Sequence, residues 1–298
     1  MKTVLLIGSN GYIGSYLSHE LARDKSIQLV TCDGSSSLGN TADFKCKSND
    51  LPVHILREAD FVLFFGGCSS VASAVEDPRD AIDKNLLDLI NLTNVMGKKQ
   101  RLIYASSASV YSSLDSFSDE ESLITLSDEK SALSPPQNAY DATKQAFDLI
   151  APYLAVKTLG LRLGTLSGMS RNLRSELVFN SMTIAALTKR QINLQNSKAS
   201  RSILFLDDLY EVLSQIIEDP SRIDTTRLLN VASLNGTFGE IAQRISEHLK
   251  ASINLLPDSQ TYSFAMDTSI MNSNYPVSPK TLEQQVDRFR LEFEGQNP

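Results

Sequence analysis

Ten residues, Leu5-Leu6-Ile7-Gly8-Ser9-Asn10-Gly11-Tyr12-Ile13-Gly14, constrain this chain more than any other stretch. Val4–Ile7 is a short apolar run rich in branched side chains, which reads as a buried strand. Gly8 ends it, and from Tyr12 onward Ile13, Leu17 and Leu21 recur at helical spacing. Strand, glycine turn and helix in that order suit a dinucleotide. Gly8 permits the tight turn, Gly11 lets the backbone approach a pyrophosphate, and Gly14 allows the helix to pack closely on the strand. The helix N-terminus offers free N–H groups and partial positive charge to the phosphates. A second strand, Ile27–Cys32, ends in Asp33, 19 residues past Gly14, where a carboxylate meets the adenosine ribose hydroxyls. The expected cofactor contacts are therefore Gly8, Asn10, Gly11, Tyr12, Ile13, Gly14 and Asp33. Asp33 repels a 2′-phosphate, and Gly34-Ser35-Ser36 brings no Arg to neutralise one, so NAD is expected over NADP.

With 298 residues, the chain can bury a large core in one large domain or two small ones. A net charge of −7 disfavours nucleic acid or an acidic membrane as the main partner. The apolar start is too short for a signal peptide and is already used as a strand, and the longest apolar run, Phe61–Cys68, is too short to span a bilayer. Cys32, Cys46 and Cys68 form no Cys-x-x-Cys pair, which points to a reduced, cytoplasmic protein. His19, His54 and His248 are scattered and support no metal site.

Along the chain, Ala42–Cys46 is a candidate third strand and Leu51–Glu58 a helix. Phe61–Phe65 is an all-apolar strand of the kind covered on both faces, ending in Gly66-Gly67. Those glycines either leave bare backbone for a flat ligand, with Gly66 as a cofactor contact, or make a simple turn. Pro78–Met96 is expected to be one helix, with Asn85 either polar for a reason or on its solvated face. Arg101–Ala105 is a strand that runs into Ser106–Tyr111, and Ser112–Ser134 is an acidic loop expected to close over the site. Tyr140–Ile150 is a helix and Val156–Gly164 a strand. Further on, helices are expected at Leu173–Leu187, Asp207–Ile217, Phe238–Leu249 and Thr281–Phe293, and strands at Ile203–Leu206 and Leu228–Val231. The candidate residues fall just past strand ends, where ligands bind in parallel sheets.

Tyr140 and Lys144 are four residues apart and share one helical face. A phenol with a pKa near ~10 is a poor base at neutral pH, but a neighbouring ammonium stabilises the phenolate. Tyr140 can then take a proton from a sugar hydroxyl while a nicotinamide takes the hydride, with Lys144 also holding the nicotinamide ribose and Ser107 bonded to the substrate oxygen. A Tyr-x-x-x-Lys pair is common by chance; its weight comes from the glycine loop and serine cluster upstream.

In order along the chain, Gly8-x-x-Gly11-x-x-Gly14, Ser106-Ser107-Ala108-Ser109-Val110-Tyr111, Tyr140-Asp141-Ala142-Thr143-Lys144, Leu161-Arg162-Leu163-Gly164, Arg201–Asp208 and Leu229-Asn230-Val231 resemble the extended short-chain dehydrogenase/reductases, the nucleotide-sugar epimerase/dehydratase family. The resemblance implies an α/β fold: a doubly wound parallel Rossmann sheet over residues 1–165 and a smaller C-terminal α/β substrate-binding region over 166–298, with segments returning to the first. It implies NAD, a nucleotide diphosphate-sugar substrate, and a homodimer through helices near 85–97 and 140–151, using Leu86, Leu89, Ile90, Ala146, Phe147 and Ile150. Carried over by position, Ser107, Tyr140 and Lys144 match the catalytic triad, Asn180 a residue that binds the substrate diphosphate, and Arg201 the phosphate-binding arginine; a guanidinium suits phosphate by paired hydrogen bonds. Asn180 can instead cap or face solvent, and Arg201 can instead pair with Asp207 or Asp208. Departures are equally specific. Ala108 and Ser109 stand where dehydratases of the family carry Asp-Glu, which disfavours loss of water; Thr165 replaces an asparagine; and Ser48-Asn49-Asp50 holds no clear adenine contact. The expected activity is C4 epimerisation through a 4-keto intermediate, or alternatively reduction of a 4-ketosugar; a cofactor-binding sensor without catalysis is the rival outside enzymology.

Overall fold

The computed structural model describes residues 1–36, 39–112, 125–221, 226–278 and 280–296. Its strands are β1 Lys2–Ile7, β2 Ile27–Cys32, β3 Phe61–Phe64, β4 Arg101–Ser107, β5 Lys157–Leu163, β6 Thr165–Ser167, β7 Gln191–Leu194, β8 Ser200–Phe205, β9 Leu228–Val231, β10 Leu234–Thr237 and β11 Ser252–Leu255. Six of them form a parallel sheet in the order β2-β1-β3-β4-β5-β9. Alternate residues of β1 feed opposite faces: Val4 and Leu6 join one core, Leu5 and Ile7 the other. All four residues of β3 are buried, as a strand covered on both faces requires.

Helices α1 Tyr12–Leu21 and, later, α8 Leu206–Glu218 cover one face of the sheet, where Leu17 and Leu21 pack with Leu209, Val212 and Leu213. On the other face Leu56 of α2 Val53–Glu58 and Leu89 and Leu92 of α5 Asp88–Val95 pack with Phe147 of α6 Ala139–Ile150. The short helices α3 Val71–Glu76 and α4 Pro78–Ile82 precede α5. A second core joins α7 Val178–Lys189, α9 Phe238–Leu249 and α11 Leu282–Gln296 to the three-stranded β10-β8-β6 sheet and the β11-β7 pair; α10 Ser269–Asn274 packs on the first core. Beyond residue 165 the chain thus returns to the large sheet through α8, β9 and α10. Among the described residues no helix is long and apolar enough to cross a membrane.

Several sequence expectations are corrected. Ala42–Cys46 is not a strand: only Phe44 bridges β2, because the Asp43 carboxylate takes the Thr31 N–H (2.9 Å) that a further ladder bond would need. The single helix over Pro78–Met96 is interrupted by a wide turn at Asp83–Leu87. Asn85 sits there fully buried, its amide donating to Cys68 O (3.0 Å) and Thr143 Oγ1 (3.3 Å), so it is not on a solvated face. Helix α7 starts at Val178 rather than Leu173. The acidic loop does not lie over the cleft where it is described: Ser127 bridges Met266, and Glu129 accepts from Asn230 N (2.8 Å) at β9. Its remainder, with Asp119, Glu120 and Glu121, lies outside the described residues. Leu89 and Phe147, expected at a dimer face, are buried in the core instead.

Candidate active site

The sheet changes direction at β1, which has β2 on one side and β3 on the other, with Ile7 level with both Cys32 and Phe64. Gly8, Asp33 and Gly66 therefore emerge together, at the switch point where parallel sheets form a crevice. Gly8 has φ +87°, and a Cβ there would lie 2.4 Å from Gly66 N. A Cβ on Gly14 would lie 1.9 Å from Gly8 O, so Gly14 serves the packing of α1 on β1 and does not line the crevice. Gly11 is the open one: its Cβ would approach only Gly8 O, at 3.3 Å. Helix α1 follows with no side-chain cap and no acid in its first turn, leaving N–H groups and partial positive charge for an anion.

Asp33 is buried at the end of β2, its carboxylate accepting from Asn10 N and Ser35 N, both at 2.8 Å. An ionised carboxylate has about four lone-pair sites, so it can still accept ribose hydroxyls. Asn10, Tyr12, Ile13 and Gly66 line the same crevice, a cleft of about 1130 Å³. Tyr12 does more: its hydroxyl donates to Gly168 O (2.6 Å) and accepts from Asn180 Nδ2 (3.0 Å), tying α1 to the second core. Burial raises the Tyr12 phenol well above its ordinary value. The residues present fit a dinucleotide: a glycine cradle, an uncapped helix start and a ribose-height carboxylate share one wall.

Across the cleft, β4 ends in Ser107, and α6 presents Tyr140 and Lys144 one turn apart. Asn138 caps α6 by accepting from Asp141 N (3.0 Å), which fixes where the helix, and so Tyr140, begins. The Lys144 ammonium donates to Ala105 O (2.8 Å) and lies 5.6 Å from the Tyr140 ring centre. Burial pushes Lys144 down to about 8, against the pull of Asp148 one turn further on. Burial likewise raises the Tyr140 phenol, with hydrogen bonding to Ser107 the largest opposing influence. Asp148 is itself held by Arg162 Nε (2.9 Å), Tyr104 Oη (3.0 Å) and Ser106 Oγ (3.0 Å). That buried network anchors β4, β5 and α6 beneath Lys144.

Arg201, on β8, closes the far end. Its guanidinium lies 4.9 Å from the Phe238 ring centre and 4.6 Å from that of Phe264. Asp207 pairs with Arg288 (2.6 Å) and Asp208 with Lys280 (3.0 Å), so neither neutralises Arg201. Among the described residues no carboxylate does, its Nε is buried without a partner, and burial lowers it to about 10. A desolvated, uncompensated cation bordering the cleft is suited to an anion. Asn180 is not brought to the cleft: it is fully buried, donates to Tyr12 Oη and Arg174 O (both 3.0 Å), and accepts from Gly168 N (2.9 Å). Arg174 and Glu176 line that wall instead, paired at 2.7 Å, and Arg174 also reaches Ser69 O (3.0 Å). Those two, with Lys47, Cys68, Tyr262 and Phe264, escaped sequence reading. Gly66-Gly67-Cys68 was signalled by its glycines; Tyr262 and Phe264 sit in an irregular segment with no periodic signal.

Comparison with known proteins agrees with this geometry. Residues 4–232 match the NAD dependent epimerase/dehydratase family. Protein CapI of Staphylococcus aureus is 24% identical over 245 residues, 73% of this chain and 70% of that protein. Among solved structures, the fold is similar to the UDP-N-acetylglucosamine 4-epimerase of Methanobrevibacter ruminantium, solved with UDP-N-acetylmuramic acid (TM-score 0.79, 20% identity, 99% of each chain). It is equally similar to TunA, an NAD-dependent NDP-hexosamine 5,6-dehydratase of tunicamycin biosynthesis (TM-score 0.79, 17% identity, 99% of this chain and 98% of that one). With the glycine cradle, the Tyr-Lys pair and the family match spanning both halves of the cleft, the chain belongs to the NAD dependent epimerase/dehydratase family, and its cofactor is NAD.

Proposed function

We propose that the protein epimerises a nucleotide diphosphate-sugar at C4 through a transient 4-keto sugar. One observation carries this reading: Ser107, Tyr140, Lys144 and Arg201 line the same cleft as the glycine turn. NAD, when bound, supplies the reversible two-electron acceptor. Tyr140 takes the C4 hydroxyl proton and returns it; Lys144, as an ammonium, favours the phenolate and holds the cofactor ribose; Ser107 bonds the sugar oxygen. Asp33 accepts the adenosine ribose hydroxyls, and Arg201 receives the substrate diphosphate. Asn180 is left out of the substrate contacts, since both its amide atoms are spent inside the fold. Ala108 and Ser109 place no carboxylate in the cleft, which argues for redox at C4 without loss of water. Three unbridged cysteines suit a reducing cytoplasm.

Reduction of an incoming 4-ketosugar uses the same residues and differs only in consuming NADH. Incubation with nucleotide diphosphate-hexoses and catalytic NAD, followed by NMR, decides. A C4 epimer without net NADH supports the proposal, and stoichiometric NADH use on ketosugars supports the reductase. A 4-keto-6-deoxy product, or no turnover on any of them, overturns both.

We also propose a homodimer through α4–α6. With Leu89 and Phe147 turned inward, the contact falls to Ile82, Leu87 and Leu149, which are exposed on these helices and the turn between them. Light scattering at micromolar concentration is expected to give twice the chain mass; a monomer mass removes the proposal.

A further inference from the structure

A dinucleotide that sets its pyrophosphate on the start of α1 and its adenosine ribose at Asp33 carries its base onward, past Gly34. The wall there is fixed by close packing. A Cβ on Gly34 would lie 3.2 Å from Lys47 Cα, so the backbone of Cys46-Lys47-Ser48 stands directly beside it. Cys46, Lys47 and Ser48 line the cleft, but Asp50 does not, so the acid of that segment is turned away from the base. Asn49 turns toward α5 instead and donates from Nδ2 to Asp88 Oδ1 (2.5 Å). Asp88 does line the cleft.

Asp88 differs from the other carboxylates near this end of the cleft. Asp80 pairs with Lys84 (2.8 Å) and Asp83 with Arg79 (2.9 Å). Among the described residues no cation pairs directly with Asp88, and Asn49 is the one donor to its side chain, which leaves Oδ2 with its lone pairs. An ionised carboxylate accepts hydrogen bonds and donates none. The edge of adenine has one donor, the 6-amino group, whereas its ring nitrogens accept. A carboxylate beside this base therefore suits it at one place only. We propose that Asp88 is a specificity-determining residue for the cofactor, its Oδ2 accepting from the adenine 6-amino group while Asn49 holds Oδ1. The proposal rests on the placement of the ribose at Asp33 given above and is independent of the sugar chemistry. It accounts for a segment after β2 that brings no acid to the base. It also accounts for a carboxylate on α5 that stays without a direct cation, although Lys47 and Lys84 are near enough to favour its ionised form.

The test changes the base. Nicotinamide hypoxanthine dinucleotide differs from NAD there alone: a carbonyl oxygen replaces the 6-amino group, and the ring donor moves to N1. Calorimetry on the full chain, freed of carried nucleotide and without sugar substrate, is expected to show NAD bound at least about tenfold more tightly, since the analogue sets an acceptor against the carboxylate. Asp88→Asn reverses the pairing. Its Oδ1 can still accept from Asn49, which leaves the amide N–H groups toward the base, opposed to a 6-amino group and able to donate to a carbonyl. This variant is expected to bind the analogue at least as tightly as NAD. Asp88→Ala removes both interactions and is expected to bind the two within about threefold; it decides should Asp88→Asn fail to fold. Equal binding of the two dinucleotides by wild type, or a wild-type preference retained in Asp88→Asn or Asp88→Ala, overturns the proposal. NADP, titrated in parallel, reads the ribose separately. It is expected to bind at least about tenfold more weakly than NAD in wild type and both variants, because Asp33 is untouched. NADP bound as well as NAD refutes the ribose placement at Asp33, whereas rejected NADP with an unmoved base preference refutes the role of Asp88 alone.

Discussion

Gly8 and Gly66 meet backbone to backbone, but not symmetrically: a Cβ on Gly8 would lie 2.4 Å from Gly66 N, while a Cβ on Gly66 would make only ordinary contacts, with Ile7 Cγ2 at 3.5 Å and with Gly8 Cα and N at 3.7 Å. The strand-end glycines are therefore not equivalent. Gly8 also holds φ +87°, which a side chain resists. Gly8→Ala is expected to cost at least about 3 kcal/mol, as backbone clash adds to the dihedral strain, whereas Gly66→Ala stays within about 1 kcal/mol. Urea unfolding of the two variants checks this, and equal destabilisation contradicts it.

Tyr140→Phe keeps the ring that packs near Lys144 and removes the acid–base hydroxyl. Turnover on the nucleotide sugar is expected to fall at least ~10²-fold, with NAD affinity by calorimetry nearly unchanged. Full activity in this variant removes the proposed mechanism.

Arg201 bears a buried charge with no carboxylate partner among the described residues, and two aromatic rings offset only part of that cost. Arg201→Met is therefore expected to leave Tm unchanged or higher while raising KM for the nucleotide sugar at least about tenfold. A lower Tm with unchanged KM would show a structural arginine that has no part in binding.

The nucleotide half of the fold was legible because its signals are local. Val4–Ile7, the glycine turn and the four-residue spacing within α1 lie side by side in sequence, and Tyr140 and Lys144 need only a helix to share a face. What was missed depends on distant partners. Strands β7 and β11 have four residues each and exist because Gln191–Leu194 pairs with Ser252–Leu255, 61 positions away. Asn180 shows the limit of transfer by position: the amide type is right for a phosphate contact, but Tyr12 and Gly168, 168 and 12 residues distant, claim it first. Ser109 read as a lost dehydratase residue until Asp141, 32 residues on, proved to be its partner.

Lys144 yields a prediction whose sign follows from burial. Its folded pKa is lowered to about 8 from 10.5, so the folded state holds the proton less tightly than the unfolded chain does. The buried ammonium therefore costs stability in full below about pH 8, and the cost is relieved as pH rises from there toward the unfolded value. Lys144→Met removes the titration, so wild type is expected to gain on the variant by up to about 3 kcal/mol between pH 8 and 10.5, read as urea midpoints. Activity runs the other way. The ammonium is what favours the Tyr140 phenolate, and it is present below about pH 8 and lost above, so kcat/KM of the free enzyme is expected to decline on the alkaline side with that midpoint. The two profiles are coupled through one proton: stability relative to Lys144→Met rises across the interval in which kcat/KM falls. A kcat/KM that stays level to pH 10, with a constant stability difference from Lys144→Met, would mean that Lys144 does not titrate in this range and that its charge is not the one that activates Tyr140.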